Sequence, residues 1–367
     1  MTGGLGTVTR ASTGAATPSI QLCRAGSEEA LANFFRSTTH EPSSSEYWRW
    51  KYFENPAGPA CVAVALVGRD IVGSLAFLPF RTRVHAREVV SAQQVDVAIM
   101  PEYRRGGVYF RLAQALITEA VERGIAFGFG FATDETLALS VQFLGFTPVG
   151  TVRRLVKVLN YWHYAGAMFG PRVARALRRI GTPNRGRDRR AAGRRALGVE
   201  PIDRFDERFD SLAANVTQGR IMLVRDAAYL NWRYVDCPTV AYARYAARTG
   251  DDVRGFVVFH AFKDKGVVRG IIDELVCSSE DSDLVEGLLS TAVSDLAAEG
   301  AVNAVCWLPS WHPLAARLRA VGFRERKARN HLIVLPNESK MLDDEQLGEE
   351  SSWYYTHGDS DYHMTSG

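Results

Sequence analysis

The chain has 367 residues, 46% of them hydrophobic, and a formal net charge of +3, enough for a sizeable core and two domains of ordinary size. No apolar run approaches the roughly 20 residues of a membrane helix, and the start "MTGGLGTVTRASTGAATPS" lacks the apolar middle of a secretory signal, so a soluble, cytoplasmic protein is expected. Five scattered cysteines without a C-x-x-C pair argue against a zinc site or a disulfide framework and predict reduced core residues.

In chain order, residues 1–19 read as a flexible N-terminus, and a first α/β unit is expected over 20–168. It opens with a helical stretch around "YWRWKYFENP", beginning at Tyr47. β-rich segments follow at Cys61 to Val67, Ile71 to Val84 and Val89 to Met100, then an amphipathic helix with apolar positions 108, 112, 116, 117 and 121. A strand, a short helix closing on Gly-Phe and a last strand complete the unit.

Residues 169–200 hold an arginine-rich linker. Between Pro171 and Arg195 ten arginines face one acid, a local +9 that leaves −6 for the rest of the +3 chain. Nucleic-acid recognition would want basic residues on a folded face with aromatics interleaved, and this stretch is broken by Gly and Pro, so a solvated linker is the expectation. Peripheral contact with an acidic partner or a membrane headgroup is the alternative.

A second unit, expected over 201–336, repeats the first. "YLNWRYVDCP" begins at Tyr229, so that Tyr47, Trp50, Lys51, Tyr52, Glu54 and Pro56 meet Tyr229, Trp232, Arg233, Tyr234, Asp236 and Pro238. Farther on, Gly124 meets Gly300 and Gly145 meets Gly322. Strands at Val240 to Ala247, Val253 to Phe262 and Val267 to Cys277 precede a helix with apolar positions 284, 288, 289, 293 and 296. A repeat alone carries no chemistry, so function must come from where the halves differ.

They differ most where a strand meets a helix. "PEYRRGGVYF" places Arg104, Arg105, Gly106 and Gly107 at a helix start, where free N–H groups and a partial positive charge suit phosphate oxygens. The second half has "CSSEDSDLVEG", whose Glu280, Asp281 and Asp283 start a helix well and repel a pyrophosphate.

The run V-A-I-M-P-E-Y-R-R-G-G-V, followed by a helix, an E-R-G end, a strand and a helix closing on L-G-F, resembles the GNAT superfamily of acyl-CoA-dependent N-acyltransferases. In that family an Arg/Gln-x-x-Gly-x-Gly/Ala turn binds the pyrophosphate of coenzyme A. Arg104, Gly107 and Tyr109 stand at its first, fourth and sixth places, the last small residue being replaced by tyrosine. The resemblance spans Ile20 to Leu159 and recurs more faintly from Pro201 to Pro336. It implies two tandem GNAT-like domains, each a twisted mixed β-sheet flanked by helices, the first binding acyl-CoA and the second degenerate.

By the same resemblance the main chain of Val97, Ala98 and Ile99 pairs with the pantetheine arm and steadies the oxyanion, while Arg104, Arg105, Gly106, Gly107, Val108 and Tyr109 hold the pyrophosphate. The opposing strand is "AFGFGFAT". The tyrosine acid common in the family is replaced by Val141, so Tyr109 or a water would protonate the thiolate, which at a pKa near ~8.5 can also leave unprotonated. Asp96 and His312 are the candidate bases, and Asp134 and Glu135 read more simply as helix starters. Asp273 and Glu274 lie on the second half's matching strand.

In the final segment, 337–367, an acidic linker leads into "WYYTHGDSDYH", too aromatic for a disordered end. It resembles Gly-Asp-Ser-Asp ends of tandem proteins of this type in surface-sugar pathways. Asp359 and Asp361, with Asp273 and Glu274, are expected to bind a cationic acceptor amine. The expected reaction is direct transfer of an acetyl or short acyl group to a primary amine, with a nucleotide-linked amino sugar as the acceptor class and no metal. An aminoacyl transferase of cell-wall precursors and a non-catalytic CoA-binding protein are the rivals; the oligomeric state stays open.

Overall fold

The computed structural model describes residues 16–38, 44–104, 106–170, 198–216, 219–336 and 344–361. The N-terminal segment 1–15, Arg105, the arginine-rich stretch 171–197, the acidic linker 337–343 and residues 362–367 lie outside them. The first half contributes β1 (Ser19–Leu22), β2 (Cys61–Val67), β3 (Asp70–Val84), β4 (Arg87–Ile99), β5 (Phe127–Thr133) and β6 (Thr147–Val158). The second contributes β7 (Val199–Pro201), β8 (Ile221–Leu223), β9 (Ala243–Thr249), β10 (Asp252–Asp264), β11 (Val267–Cys277), β12 (Asn303–Trp307) and β13 (Arg324–Pro336). Helices α1 (Glu28–Thr38), α2 (Ser45–Phe53), α3 (Val108–Glu122), α4 (Asp134–Leu144) and α5 (Tyr161–Phe169) are followed by α6 (Asp210–Val216), α7 (Ala227–Tyr234), α8 (Ser282–Ala298) and α9 (Pro313–Ala320).

The strands join in one twisted mixed sheet of order β1-β2-β3-β4-β5-β13-β6-β12-β11-β10-β9-β7, with β8 against β3. Among the described residues only the pairs β4–β5 and β11–β12 are parallel. The first half builds β1 to β5 from its own chain, the second half builds β7 and β9 to β12 from its own while lending β8 to β3, and each then gives its last strand away. β6 leaves for β12, and β13 inserts between β5 and β6. The turns that start both crossings, Gly145 (φ +75°) and Gly322 (φ +97°), need the left-handed region that glycine enters freely.

Side-chain alternation along β2 and β3 explains why their apolar runs are nearly continuous. Ala63, Ala65, Leu75 and Phe77 face α3, whose Val108, Leu112 and Leu116 are buried against them. Val62, Val64, Ala76 and Leu78 face the opposite layer with Trp48 and Tyr52. Full burial of Leu112 or Leu116 is worth about 1.5–3 kcal/mol each. The helix stripe drifts from its expected end: Ala120 is buried, and Val121 is 54% exposed.

The repeated tryptophans hold the halves together. Trp50 of α2 and Trp232 of α7 stack at 5.0 Å between ring centroids. Trp50 Nε1 donates to Trp232 O at 2.7 Å, and Trp232 Nε1 donates to Trp50 O at 3.0 Å. The motif that marks the repeat in the sequence is therefore the seam of the fold. The C-terminal tail fills the space beside it, with Trp353 against Phe127 and Phe129, and Trp353 to Ser360 all buried.

Candidate functional site

Strand β4 leaves its parallel neighbour early. It pairs with β5 at Ala92–Gly128 and Gln93–Phe129 only, and the ladder ends there. On its other side Ser74 faces Ala98 while Ala76 faces Val95, so Asp96 and Val97 together stand opposite Leu75 as a bulge. Asp96 takes φ +54°, which is costly for a residue with a side chain. Its carboxylate holds it there, accepting from Tyr52 Oη at 2.7 Å and from Lys51 Nζ at 2.9 Å. The bulge leaves Val97 39% exposed on the open side of the strand.

The turn that follows reaches α3 without a side-chain cap. Gly107 is the N-cap at φ +68°, and both it and Gly106 are exposed. A Cβ built on Gly107 meets nothing within 4 Å, so the glycine serves the backbone conformation, not crowding. The amides of the first turn of α3 are left for solvent or an anion. Val108 turns its side chain into the core, so only its main chain can serve a ligand. Arg104 is exposed and its Nε donates to Ile99 O at 3.0 Å, bracing the turn against the end of β4. Tyr109 is half-buried; Gln94 Nε2 donates to its hydroxyl at 3.1 Å, and burial raises its pKa, keeping it protonated. Val141 stands exposed on α4 beside Leu139 and Phe143.

The corresponding turn of the second half is closed by its own side chains. Asp281 caps α8 by accepting from the Leu284 amide at 3.1 Å, and pairs with Arg254 at 2.8 Å. Ser278 Oγ accepts from the Glu280 amide at 3.4 Å. Asp281 thus claims one first-turn amide of α8 and sets a carboxylate where an anion's charge would lie.

Between these turns lies a buried charged layer that gathers most of the expected acceptor residues. Asp273 occupies the bulge of β11, where Val258 faces Glu274 and Phe259 faces Ile272, so it corresponds to Asp96 in the first half. It pairs with His260 at 2.7 Å and His357 at 3.3 Å, which outweigh the cost of burial and bring its pKa down to about 2. Glu274 accepts from Arg225 Nε at 3.0 Å and Tyr234 Oη at 2.9 Å. Burial still pushes it up to about 7, because Arg225 offsets that only in part and Asp359 adds to it. Asp359 accepts from Arg225 Nη2 at 2.7 and 2.8 Å. Asp273, Glu274 and Asp359 are thus committed to internal partners.

Asp361 is placed differently. It is part-exposed, 3.8 Å from Lys51 Nζ, which also contacts Asp96 at 2.7 Å. Burial raises the Asp361 carboxyl, and Asp96 adds to that against the pull of Lys51. Burial alone would lower Lys51; Asp96, Tyr47 and Asp361 together outweigh it and hold the ammonium charged. The tail therefore carries one carboxylate into the second half's layer and another to the first half's bulge.

His312 sits one layer away, its ring 5.2 Å from that of Tyr354, which in turn lies under Arg225. It caps α9, with Nδ1 accepting from the Leu314 amide at 3.2 Å. The neutral ring then keeps its proton on Nε2, and burial with Arg220 nearby lowers its pKa to about 4. His312 is a hydrogen-bond donor in this arrangement, not a free base. Asp134 and Glu135 start α4 behind the Thr133 cap, and Asp134 accepts from His331 at 2.8 Å.

Sequence reasoning passed over Lys51, Arg225, Arg233, His260 and His357. In the sequence, Lys51 and Arg233 show only as the matched basic position of the repeat. Arg233 reaches the tail, donating to Gly358 O at 3.2 Å and Ser360 O at 2.9 Å. Among the described residues no cluster of three or more His, Cys, Asp or Glu is arranged for a metal ion.

Residues 20–141 match the sequence model of the acetyltransferase (GNAT) domain family. No curated protein matches the chain. Among solved structures, a GCN5-related N-acetyltransferase from Anabaena variabilis is similar over 86% of this chain and 72% of that one, at 17% identity and a TM-score of 0.58. Saccharomyces cerevisiae N-myristoyltransferase with bound myristoyl-CoA is similar over 90% of this chain and 79% of that one, at 10% identity and a TM-score of 0.58. A probable N-acyltransferase from Enterococcus faecalis is similar over 87% of this chain and 72% of that one, at 10% identity and a TM-score of 0.54. Residues 20–141 thus resemble the GNAT acetyltransferase domain in sequence, and the chain shares its fold with these solved structures.

Proposed function

We propose that the protein is an acyl-CoA-dependent N-acyltransferase, with acyl-CoA held by the first half. The observation that carries this is the uncapped, glycine-led start of α3 beside a bulged strand whose pairing with β5 ends at Gln93. Both features fall within the part of the chain that matches the GNAT domain. The pyrophosphate would rest on the amides after Gly107, near Arg104. The pantetheine would run along the open edge at Val97, Ala98 and Ile99, whose amides meet the oxyanion when an amine attacks.

In this reading 20–168 is the donor unit and 201–336 a degenerate copy that, with the tail, shapes the acceptor side. Asp361 takes the proton of the acceptor ammonium, Lys51 and Asp96 fix its position, and the amine then forms the C–N bond as the C–S bond breaks. Tyr109, kept protonated by burial, or a water gives a proton to the thiolate and is reprotonated by the second proton that the nitrogen loses as the amide forms. A primary amine is the acceptor class, and an amino sugar, nucleotide-linked, is the member we favour. Val141 in place of the usual acid favours a second reading, a domain that binds coenzyme A without turnover.

The test is thiol release from acetyl-CoA with a panel of amines, alongside thermal shift with coenzyme A. An enzyme is stabilised by coenzyme A and releases thiol with some amines; a binding module is stabilised and releases none. Asp361→Asn is expected to cut the rate roughly 100-fold while leaving the coenzyme A shift intact, the scale of a lost general base.

A further inference from the structure

Strands β6 and β13 carry charge differently on their two faces. On the face that meets α9, Arg153 and Arg319 both donate to Glu325, at 2.6 and 2.9 Å. On the other face, Arg154 of β6 stands directly opposite Arg326 of β13 in the ladder. Facing residues of antiparallel neighbours have Cβ atoms about 4.5–5.5 Å apart, and like charges so placed repel. Arg324 lies on the same face two residues back and bonds only main-chain carbonyls, Arg319 O at 3.3 Å and Phe323 O at 3.2 Å. Arg154 is half-buried and makes no side-chain hydrogen bond or ion pair among the described residues. Arg326 is exposed and reaches only Glu325 O, at 3.5 Å. Burial lowers the Arg154 pKa, Arg269 lowers it further, and only the Tyr164 hydroxyl works the other way. Arg269 itself is paired with Asp264 at 3.0 Å. Tyr164 of α5 accepts from Asn303 Nδ2 at 3.0 Å, which leaves its own O–H to give.

A half-buried guanidinium with a second one opposite it and no carboxylate beside it is costly in the ligand-free protein, and a bound anion removes that cost. A phosphate suits the pair better than a carboxylate, because its several oxygens accept from two planar N–H forks at once. We infer that Arg154 and Arg326 bind a phosphate group of a small molecule, with Tyr164 as a further donor. Arg154 is recessed beside α5, so a projecting terminal phosphate reaches it and a flat polyanionic surface does not. The inference goes beyond the acyltransferase reading and stands without it, though a nucleotide-linked acceptor carries the group that the site calls for.

Calorimetry on the full chain with inorganic pyrophosphate tests this, with coenzyme A at saturation so that the glycine turn of the first half is occupied. Saturable binding is expected. Arg154→Gln and Arg326→Gln should each weaken it at least about tenfold, the loss of a charged donor pair. Arg153→Gln, one residue away on the opposite face, should keep the parent affinity. If coenzyme A does not bind, the contrast between Arg154→Gln and Arg153→Gln still reads this site and no other. Ligand-free Arg154→Gln should melt no lower than the parent chain, because it ends the like-charge opposition. A lower melting temperature with unchanged pyrophosphate affinity marks Arg154 as structural and overturns the assignment. So does the absence of saturable binding, or capture by phosphatidylglycerol vesicles that Arg154→Gln abolishes while pyrophosphate does not bind.

Discussion

The two strand-to-helix turns of this chain occupy matching places and handle charge in opposite ways. In the first half, glycines open the start of α3 and leave its amides unclaimed. In the second, Asp281 claims the Leu284 amide of the first turn and Ser278 the Glu280 amide just ahead of the helix. The bulges behind them differ in the same direction. Asp96 is tied to Lys51 and Tyr52 beside an exposed Val97, whereas Asp273 lies under the tail with its next residue, Glu274, locked to Arg225. In the proposed function, the same bulge-and-turn arrangement is a ligand edge in the first half and a buried structural network in the second, with a handful of charged residues deciding which.

The largest effect that would sharpen this comparison is on stability. Lys51→Met removes a buried ammonium and leaves the part-buried Asp96 and Asp361 without their cation, and a loss of about 3 kcal/mol is expected in chemical denaturation. Arg233→Met leaves main-chain carbonyls of the tail short of a donor and should cost less, about 1–3 kcal/mol. Equal losses would show that the two basic positions do the same job.

Next comes pH. Glu274 has a folded pKa raised to about 7, so near neutral pH the folded protein holds a proton that the unfolded chain, with the ordinary carboxyl value of 4.5, has released. Its contribution is complete at low pH and is lost as pH rises through about 7. Glu274→Gln should remove that decline, worth on the order of 1–3 kcal/mol across the window, as read from denaturation midpoints. Its counterpart in the first half, Val97, cannot titrate, so a Val97→Ala control should keep the parent slope.

The smallest expected effect is also the most specific. Gly107→Asp puts the second half's chemistry into the first half's turn, where the added atoms meet open space. Coenzyme A binding should weaken by at least about tenfold, and the ligand-free melting temperature should fall by a few degrees, because aspartate at φ +68° costs about 1–2 kcal/mol. An unchanged coenzyme A affinity would place the donor elsewhere.

Much of this was legible in the sequence because it is local. Apolar spacing located the strands and the α3 stripe, and the Gly-Gly turn, the acidic α8 start and the Trp-[Lys/Arg]-Tyr repeat each announce themselves within ten residues. The exchange of β6 and β13 was not legible, since a strand's periodicity says which face is buried and nothing about which neighbour it pairs with. The aromatic tail is suspect from its composition, but its docking against Phe127, Trp307 and Arg225 depends on residues fifty or more positions away. His312 reads in isolation as a proton acceptor. The Pro313 that follows it was the local sign of a helix cap, and the cap decides which ring nitrogen keeps the proton.

Hydrogen exchange across both turns, with and without coenzyme A, tests the central contrast most directly. The account predicts slowed exchange at the amides of 106–110 when the ligand is present and no change at 279–284. Slowing at 279–284 with none at 106–110 would contradict it.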